Sequence, residues 1–191
     1  MTAPVRVLRY ADYPVQRWAN GGGTTRLVAD GAGWRLSLAD VAGDGPFSTF
    51  PGTARVLTVV AGAGLRLTVD GVDRLVRPLM PFAFDGAATT SGRLLDGPVM
   101  AFNLMTDRAQ EALTFEVTVR EEDALAARSP LVAAMALAPG RLTGTGPGSP
   151  EQQVDLARFD TVVVPSAEQQ AVPATARLRG RFVAVSAALA V

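Results

Sequence analysis

Glycine and proline interrupt this chain so often that few uninterrupted stretches are long enough for a helix. The 19 glycines and 13 prolines leave short apolar runs. A helix needs about ten or more residues of consistent periodicity, whereas a strand needs about four to eight. Several runs alternate with period two. In residues 34–39, Trp34, Leu36 and Leu38 share one face and Arg35, Ser37 and Ala39 the other. Residues 55–60 are rich in β-branched side chains, and Gly62-Ala-Gly64 turns them into a run at 65–69. Asp70-Gly71 between apolar residues is a two-residue hairpin signal. Asp44-Gly-Pro-Phe-Ser48 and Phe50-Pro-Gly52 are turn chemistry. Further strands fall at 82–84, 99–105 and 113–119, and only 121–128 reads as a helix. Many short strands between frequent turns predict an all-β sandwich or barrel.

The second half reads as a degenerate copy of the first. Residues 56–68 lie beside 133–143, with an Arg-Leu-Thr at Arg66 matched by another at Arg141. Residues 95–102 lie beside 178–185 in the same order. Two related β lobes are therefore expected, with a larger lobe over 1–120 and a smaller one over 121–191. The stretch Gly144-Thr-Gly-Pro-Gly-Ser-Pro150 reads as a hairpin loop within the second lobe.

What is missing narrows the chemistry. The chain has no Cys and no His, and each of its 18 basic residues is Arg. Disulfides, thiolate nucleophiles, imidazole bases, imidazole metal ligands and Schiff-base amines are all excluded. Basic and acidic residues balance at 18 each, so no surplus exists to neutralise phosphates, and no nucleic-acid partner is expected. No apolar run approaches the roughly 18 residues of a membrane span. The first residues lack a signal-peptide core, so a cytoplasmic location is the expectation. No metal, cofactor or catalytic residue is expected. Self-association into a homodimer is left open.

The most unusual segment is Trp18-Ala-Asn-Gly-Gly-Gly-Thr-Thr-Arg26. Gly21, Gly22 and Gly23 let the backbone approach a ligand with its amides uncovered, bounded by Trp18, Asn20 and Arg26. The same residues serve equally as a strand-to-strand turn. Arg35 and Ser37 share a strand face, and Arg55 opens the next strand. Inside a barrel mouth an Arg clamps a carboxylate, although a solvated surface is its commoner place. Asn103 and Met105 share a face of a later strand, and a buried Asn needs partners for its donors and acceptor. Asp40, Asp44, Asp70 and Asp73 sit in glycine-flanked turns, and no serine carries a nucleophile elbow.

Five motifs in one order carry a family likeness. They are Trp18-x-Asn-Gly-Gly-Gly-x-Thr-Arg26, Trp34-Arg-x-Ser-x-Ala39, Gly45-Pro-Phe-Ser-x-Phe-Pro-Gly52 followed by Arg55, Phe84-x-Gly86, and Phe102-Asn-Leu-Met105. Together they resemble the HutD/Ves family, closely over about residues 5–120 and by general pattern beyond. The resemblance implies a bicupin, with two jelly-roll-like barrels in one chain. It also implies an association with bacterial histidine utilisation and an acidic pathway intermediate, such as urocanate or formylglutamate, as ligand. Ala19, Leu27 and Ala101 depart from the family pattern, which carries charged residues there.

The expectation is a metal-free cupin that binds a small carboxylated metabolite in its first lobe. The ligand residues would be Trp18, Asn20, Gly21, Gly22, Gly23, Arg26, Arg35, Ser37, Phe47, Arg55, Phe84, Asn103 and Met105. The alternatives are a metal-independent isomerase or lyase using a carboxylate such as Asp44 or Asp85, and a protein-interaction scaffold with a vestigial mouth.

Overall fold

A computed structural model describes residues 5–109, 113–124, 131–145, 151–164 and 177–189. Its first strands are β1 (Arg6–Leu8), β2 (Val15–Arg17), β3 (Gly23–Gly31), β4 (Trp34–Val41), β5 (Gly45–Pro46), β6 (Thr53–Ala61), β7 (Leu65–Val69), β8 (Val72–Val76) and β9 (Phe82–Asp85). They are followed by β10 (Thr90–Leu94), β11 (Val99–Asp107), β12 (Leu113–Ala124), β13 (Leu131–Ala136), β14 (Gly140–Thr145), β15 (Glu151–Leu156), β16 (Thr161–Val163) and β17 (Arg177–Leu189). One 3-10 turn, Tyr10–Asp12, is the only helical element among the described residues. No helix among them is long and apolar enough to cross a membrane.

The fold class is all-β. Asp70-Gly71 makes the expected two-residue turn, with Val69 opposite Val72 and positive φ at both turn residues. The helix expected at 121–128 is corrected. Glu121, Glu122, Asp123 and Ala124 continue β12, which pairs antiparallel with β17 past a bulge between Arg120 and Glu122. Residues 125–128 lie outside the described residues. Ladder pairing with a long partner strand overrides the modest helix preference of a short Glu/Ala segment.

The chain forms two compact units, one of Tyr13–Glu111 and one of Met1–Asp12 with Ala112–Val191. The division expected at 120/121 falls inside β12, whose pairing with β17 places the whole strand in the second unit. The unit boundary instead precedes β12. In the first unit, a six-stranded sheet of order β2-β3-β4-β11-β6-β9 faces a four-stranded sheet of order β5-β10-β7-β8. Their shared core holds Ala39, Val41, Leu57, Val59, Val99 and Ala101 from the larger sheet and Leu65, Leu67 and Val76 from the smaller. In the second unit, one sheet runs β1-β16-β13-β17-β14-β15, with β12 also on β17.

The order β4-β11-β6-β9 thus has a counterpart in β12-β17-β13-β16. A backbone detail recurs as well. Leu79 has φ of 63° and donates its N–H to Val59 O at 2.9 Å, while Phe159 has φ of 70° and donates to Ala136 O at 2.7 Å. Non-glycine residues rarely adopt this left-handed conformation. The equivalence sets Val59 against Ala136. This agrees with the first repeat match at that position. The second match is displaced by two residues, because Ala101 lies opposite Val59 as Phe182 lies opposite Ala136.

Candidate functional site

Four neighbouring strands of the first unit, β4, β11, β6 and β9, arrange one face in rows. Directly opposed residues in an antiparallel pair point to the same side. Arg35 opposes Met105, Met105 opposes Arg55, and Arg55 opposes Phe84. The next row is Ser37, Asn103 and Leu57, and the one after is Ala39, Ala101 and Val59. Charge, then amide and hydroxyl, then small apolar side chains follow one another along the strands.

A cavity of about 590 Å³ lies over this face. Its lining comes from Arg35, Ser37, Ala39 and Val41 of β4, Ala101, Asn103 and Met105 of β11, and Arg55 of β6. The β2–β3 hairpin adds Gln16, Arg17, Trp18, Ala19, Asn20 and Thr25. Pro46, Phe47, Ser48 and Phe50 come from β5 and the loop after it. Three of these residues are Arg and none is acidic.

Arg55 is the unusual member. It is 5% exposed. Its Nη1 donates to Ser48 O at 3.1 Å, while its Nε is buried without a hydrogen-bond partner. The guanidinium lies between two rings, 4.8 Å from the centroid of Phe84 and 5.2 Å from that of Phe50. No carboxylate among the described residues pairs with it, whereas Arg9, Arg26, Arg66, Arg93, Arg108 and Arg141 each lie within 4.0 Å of an aspartate oxygen. Burial lowers its pKa from the usual guanidinium range to about 10, which leaves it cationic at neutral pH. Two aromatic faces compensate part of the lost hydration. Arg35, the exposed cation of the same row, makes no ion pair with a described residue.

Asn103 is 5% exposed and donates Nδ2 to Ala101 O at 3.1 Å, and its Oδ1 has no partner. Trp18 and Phe47 form an edge-to-face pair at 6.3 Å, and Trp18 is held by its Nε1 donating to Thr25 Oγ1 at 2.7 Å. These rings give the cavity an aromatic wall.

Of the residues expected from the sequence, Trp18, Asn20, Arg35, Ser37, Phe47, Arg55, Asn103 and Met105 line the cavity. Gly21, Gly22, Gly23, Arg26 and Phe84 do not. The glycine run is a turn and not an open cradle. The Gly21 N–H donates to Trp18 O and the Gly22 N–H to Asn20 Oδ1. Gly21 has φ of 71°, and a Cβ on Gly23 would collide with the Asp40 carbonyl oxygen. The alternation that turns Thr25 to the cavity turns Arg26 away, with its Nε 3.9 Å from the Asp40 carboxylate. Phe84 acts behind Arg55, against its guanidinium. Of the three departures from the family pattern, Ala19 and Ala101 line the cavity and Leu27 does not.

Several lining residues escaped the sequence reading. Thr25, Ala39 and Val41 follow from strand alternation alone. Gln16 and Arg17 lie on a three-residue strand, too short to give a periodic signal. Asp44 and Asp85, the candidate catalytic carboxylates, are engaged elsewhere. Asp44 accepts from the Leu94 N–H, and Asp85 accepts from Ala87 and Arg108. No group of three or more His, Cys, Asp or Glu side chains that could hold a metal occurs among the described residues. In the second unit Phe182 and Ala184 occupy the positions of Ala101 and Asn103, packed with Ala134, Ala136 and Leu178. A ring there takes the place of the small floor residue of the first unit.

The HutD family profile matches residues 10–181 of the chain. An uncharacterized 21.2 kDa protein from the hutC 3′ region of Pseudomonas putida is 46% identical over 111 residues, 53% of this chain and 57% of that protein. Protein Ves of Escherichia fergusonii is 37% identical over 101 residues, 49% of this chain and 53% of its own. The aligned part thus spans about half the length of these curated relatives. HutD of Pseudomonas fluorescens SBW25 superposes with a TM-score of 0.75 at 29% identity, over 98% of this chain and all of that one. A cupin 2 conserved barrel domain protein from Leptotrichia buccalis superposes with a TM-score of 0.60 at 7% identity, over 97% of this chain and 96% of its own. That last likeness is one of fold. With a family match that spans residues 10–181, the chain belongs to the HutD family.

Proposed function

We propose that the cavity of the first unit binds a small carboxylated metabolite without a metal, and that this binding serves to modulate histidine utilisation. The ligand would be a histidine-degradation intermediate, and the protein would act in the cytoplasm as a binding protein and not as an enzyme. The observation that carries the proposal is Arg55: a buried cation, on a cavity wall, with no carboxylate partner among the described residues. Buried charges are ordinarily paired, and a ligand carboxylate would complete this one. Arg35, across Met105 in the same row, would add a second guanidinium from the solvent side. The rings of Phe50 and Phe84 hold the Arg55 plane in place, so little side-chain freedom is lost on binding.

A binding role fits the lining better than catalysis. Ser37, Ser48 and Thr25 offer hydroxyls without an adjacent base, and no lining carboxylate can move a proton. A desolvated ion pair returns only part of its Coulombic gain, so dissociation constants in the micromolar range, roughly −8 kcal/mol, are expected. The test is a thermal-shift and calorimetric screen with histidine-pathway intermediates on the wild type and on Arg55→Met. Binding that disappears in the variant supports the reading. No response from any carboxylate, or binding unaffected by the substitution, refutes it.

A further inference from the structure

The cavity is graded along its length, and this bears on the far end of the ligand. Arg35, Ser37, Ala39 and Val41 all line it. From first to last these positions are six residue steps apart on one strand, about 20 Å. The guanidinium groups of Arg35 and Arg55 stand in one row, and two rows away stand Ala39 and Ala101, 6% and 0% exposed. Ala39, Val41 and Ala101 belong to the hydrophobic core of the unit, and Trp18 and Phe47 pack against that same core. The end opposite the buried cation is therefore small-residue floor and aromatic wall.

We infer that the ligand is an amphipathic monocarboxylate whose flat apolar body lies over Ala39 and Ala101 beside Trp18 and Phe47. This rests on the carboxylate reading of Arg55 and adds to it the nature of the rest of the molecule. The polar rim at that end does not supply an equal second anchor. Arg17 is exposed, and an exposed ion pair contributes little. Apolar area removed from water on the ligand body and on the half-buried rings of Trp18 and Phe47 is the larger gain. The absence of side-chain bulk at Ala39 and Ala101 is what leaves room for a ring, since Phe182 occupies the matching floor position of the second unit. Ala101 is thus a specificity-determining residue.

The test uses the full chain and four probes: acetate, hexanoate, 3-phenylpropionate and glutarate, measured by calorimetry. 3-Phenylpropionate is expected to bind at least tenfold more tightly than acetate and more tightly than glutarate, with hexanoate between. Ala101→Asp is expected to weaken 3-phenylpropionate tenfold or more while acetate changes little. Should the buried aspartate prevent folding, Ala39→Leu fills the floor from the neighbouring strand and carries the same expectation. Glutarate binding as tightly as 3-phenylpropionate, or acetate matching it, overturns the inference while the Arg55 reading stands, provided Arg55→Met abolishes all binding. Carboxylate binding that survives Arg55→Met, or no binding by any probe, overturns both.

Discussion

Replacing Arg55 by Met separates a cation kept for a ligand from one kept for the fold. The depression of its pKa to about 10 by burial corresponds to about 3 kcal/mol against the charged form. Because the native state loses this proton more readily than the unfolded chain, the penalty is present in full at neutral pH. It fades only as pH rises above about 10. Met removes the penalty and keeps an apolar stem between the rings of Phe50 and Phe84. It forfeits one charge-assisted hydrogen bond to Ser48 O, about 1.5–3 kcal/mol. It also exchanges the ring-cation contacts for sulfur-ring contacts, a further loss on the order of 1 kcal/mol. These terms nearly cancel. The ligand-free variant should lie within about 1 kcal/mol of wild type, a melting shift of roughly 2–4 °C for a chain of this size. Breaking a buried ion pair by removing one partner would instead cost about 3–5 kcal/mol. Urea unfolding at pH 7 without ligand measures the difference. A destabilisation above about 3 kcal/mol would refute the reasoning, because it would make Arg55 a structural cation already satisfied by its surroundings.

Asp160 is the opposite case, a buried carboxylate fully engaged by its own chain. Burial pushes its carboxyl up, but hydrogen bonds from the Tyr10 N–H, the Arg9 guanidinium and the Ala157 N–H, with the Arg9 charge, outweigh this and hold it below 3.8. Asp160→Asn should cost about 2–4 kcal/mol near neutrality, and the gap to wild type should close as pH falls below about 4, read from melting across pH 2–7. In the glycine turn, Gly23→Ala should cost more than about 2 kcal/mol through its clash with the Asp40 carbonyl. Gly21→Ala, strained by φ of 71° but with open space around it, should cost about 1 kcal/mol. Denaturant titration of both distinguishes a collision from a conformational preference. Dialysis against chelator should leave the melting temperature unchanged, since the chain contains neither His nor Cys; a marked fall would point to a bound metal.

Local chemistry alone was enough to make this chain a strand protein. The Asp70-Gly71 turn and the alternation at 34–39 are properties of neighbouring residues, and the strands and hairpin they predict are present. The same alternation placed Arg35, Ser37 and Ala39 on one face before any partner strand was known. Where local and long-range preferences disagreed, the long-range pairing won, and Glu121–Ala124 joined β12 because β17 supplies ladder partners for it. The candidate site depended on tertiary structure still more. Whether Arg55 faces water or a cavity is settled by which strands flank β6, and those strands lie far away in sequence. The glycine run looked like a cradle because its composition permits one, yet the hydrogen bonds of Gly21 and Gly22 close a turn. Burial of a charge and the depth of a cavity come from several distant strands meeting on one face, and no window of sequence contains them.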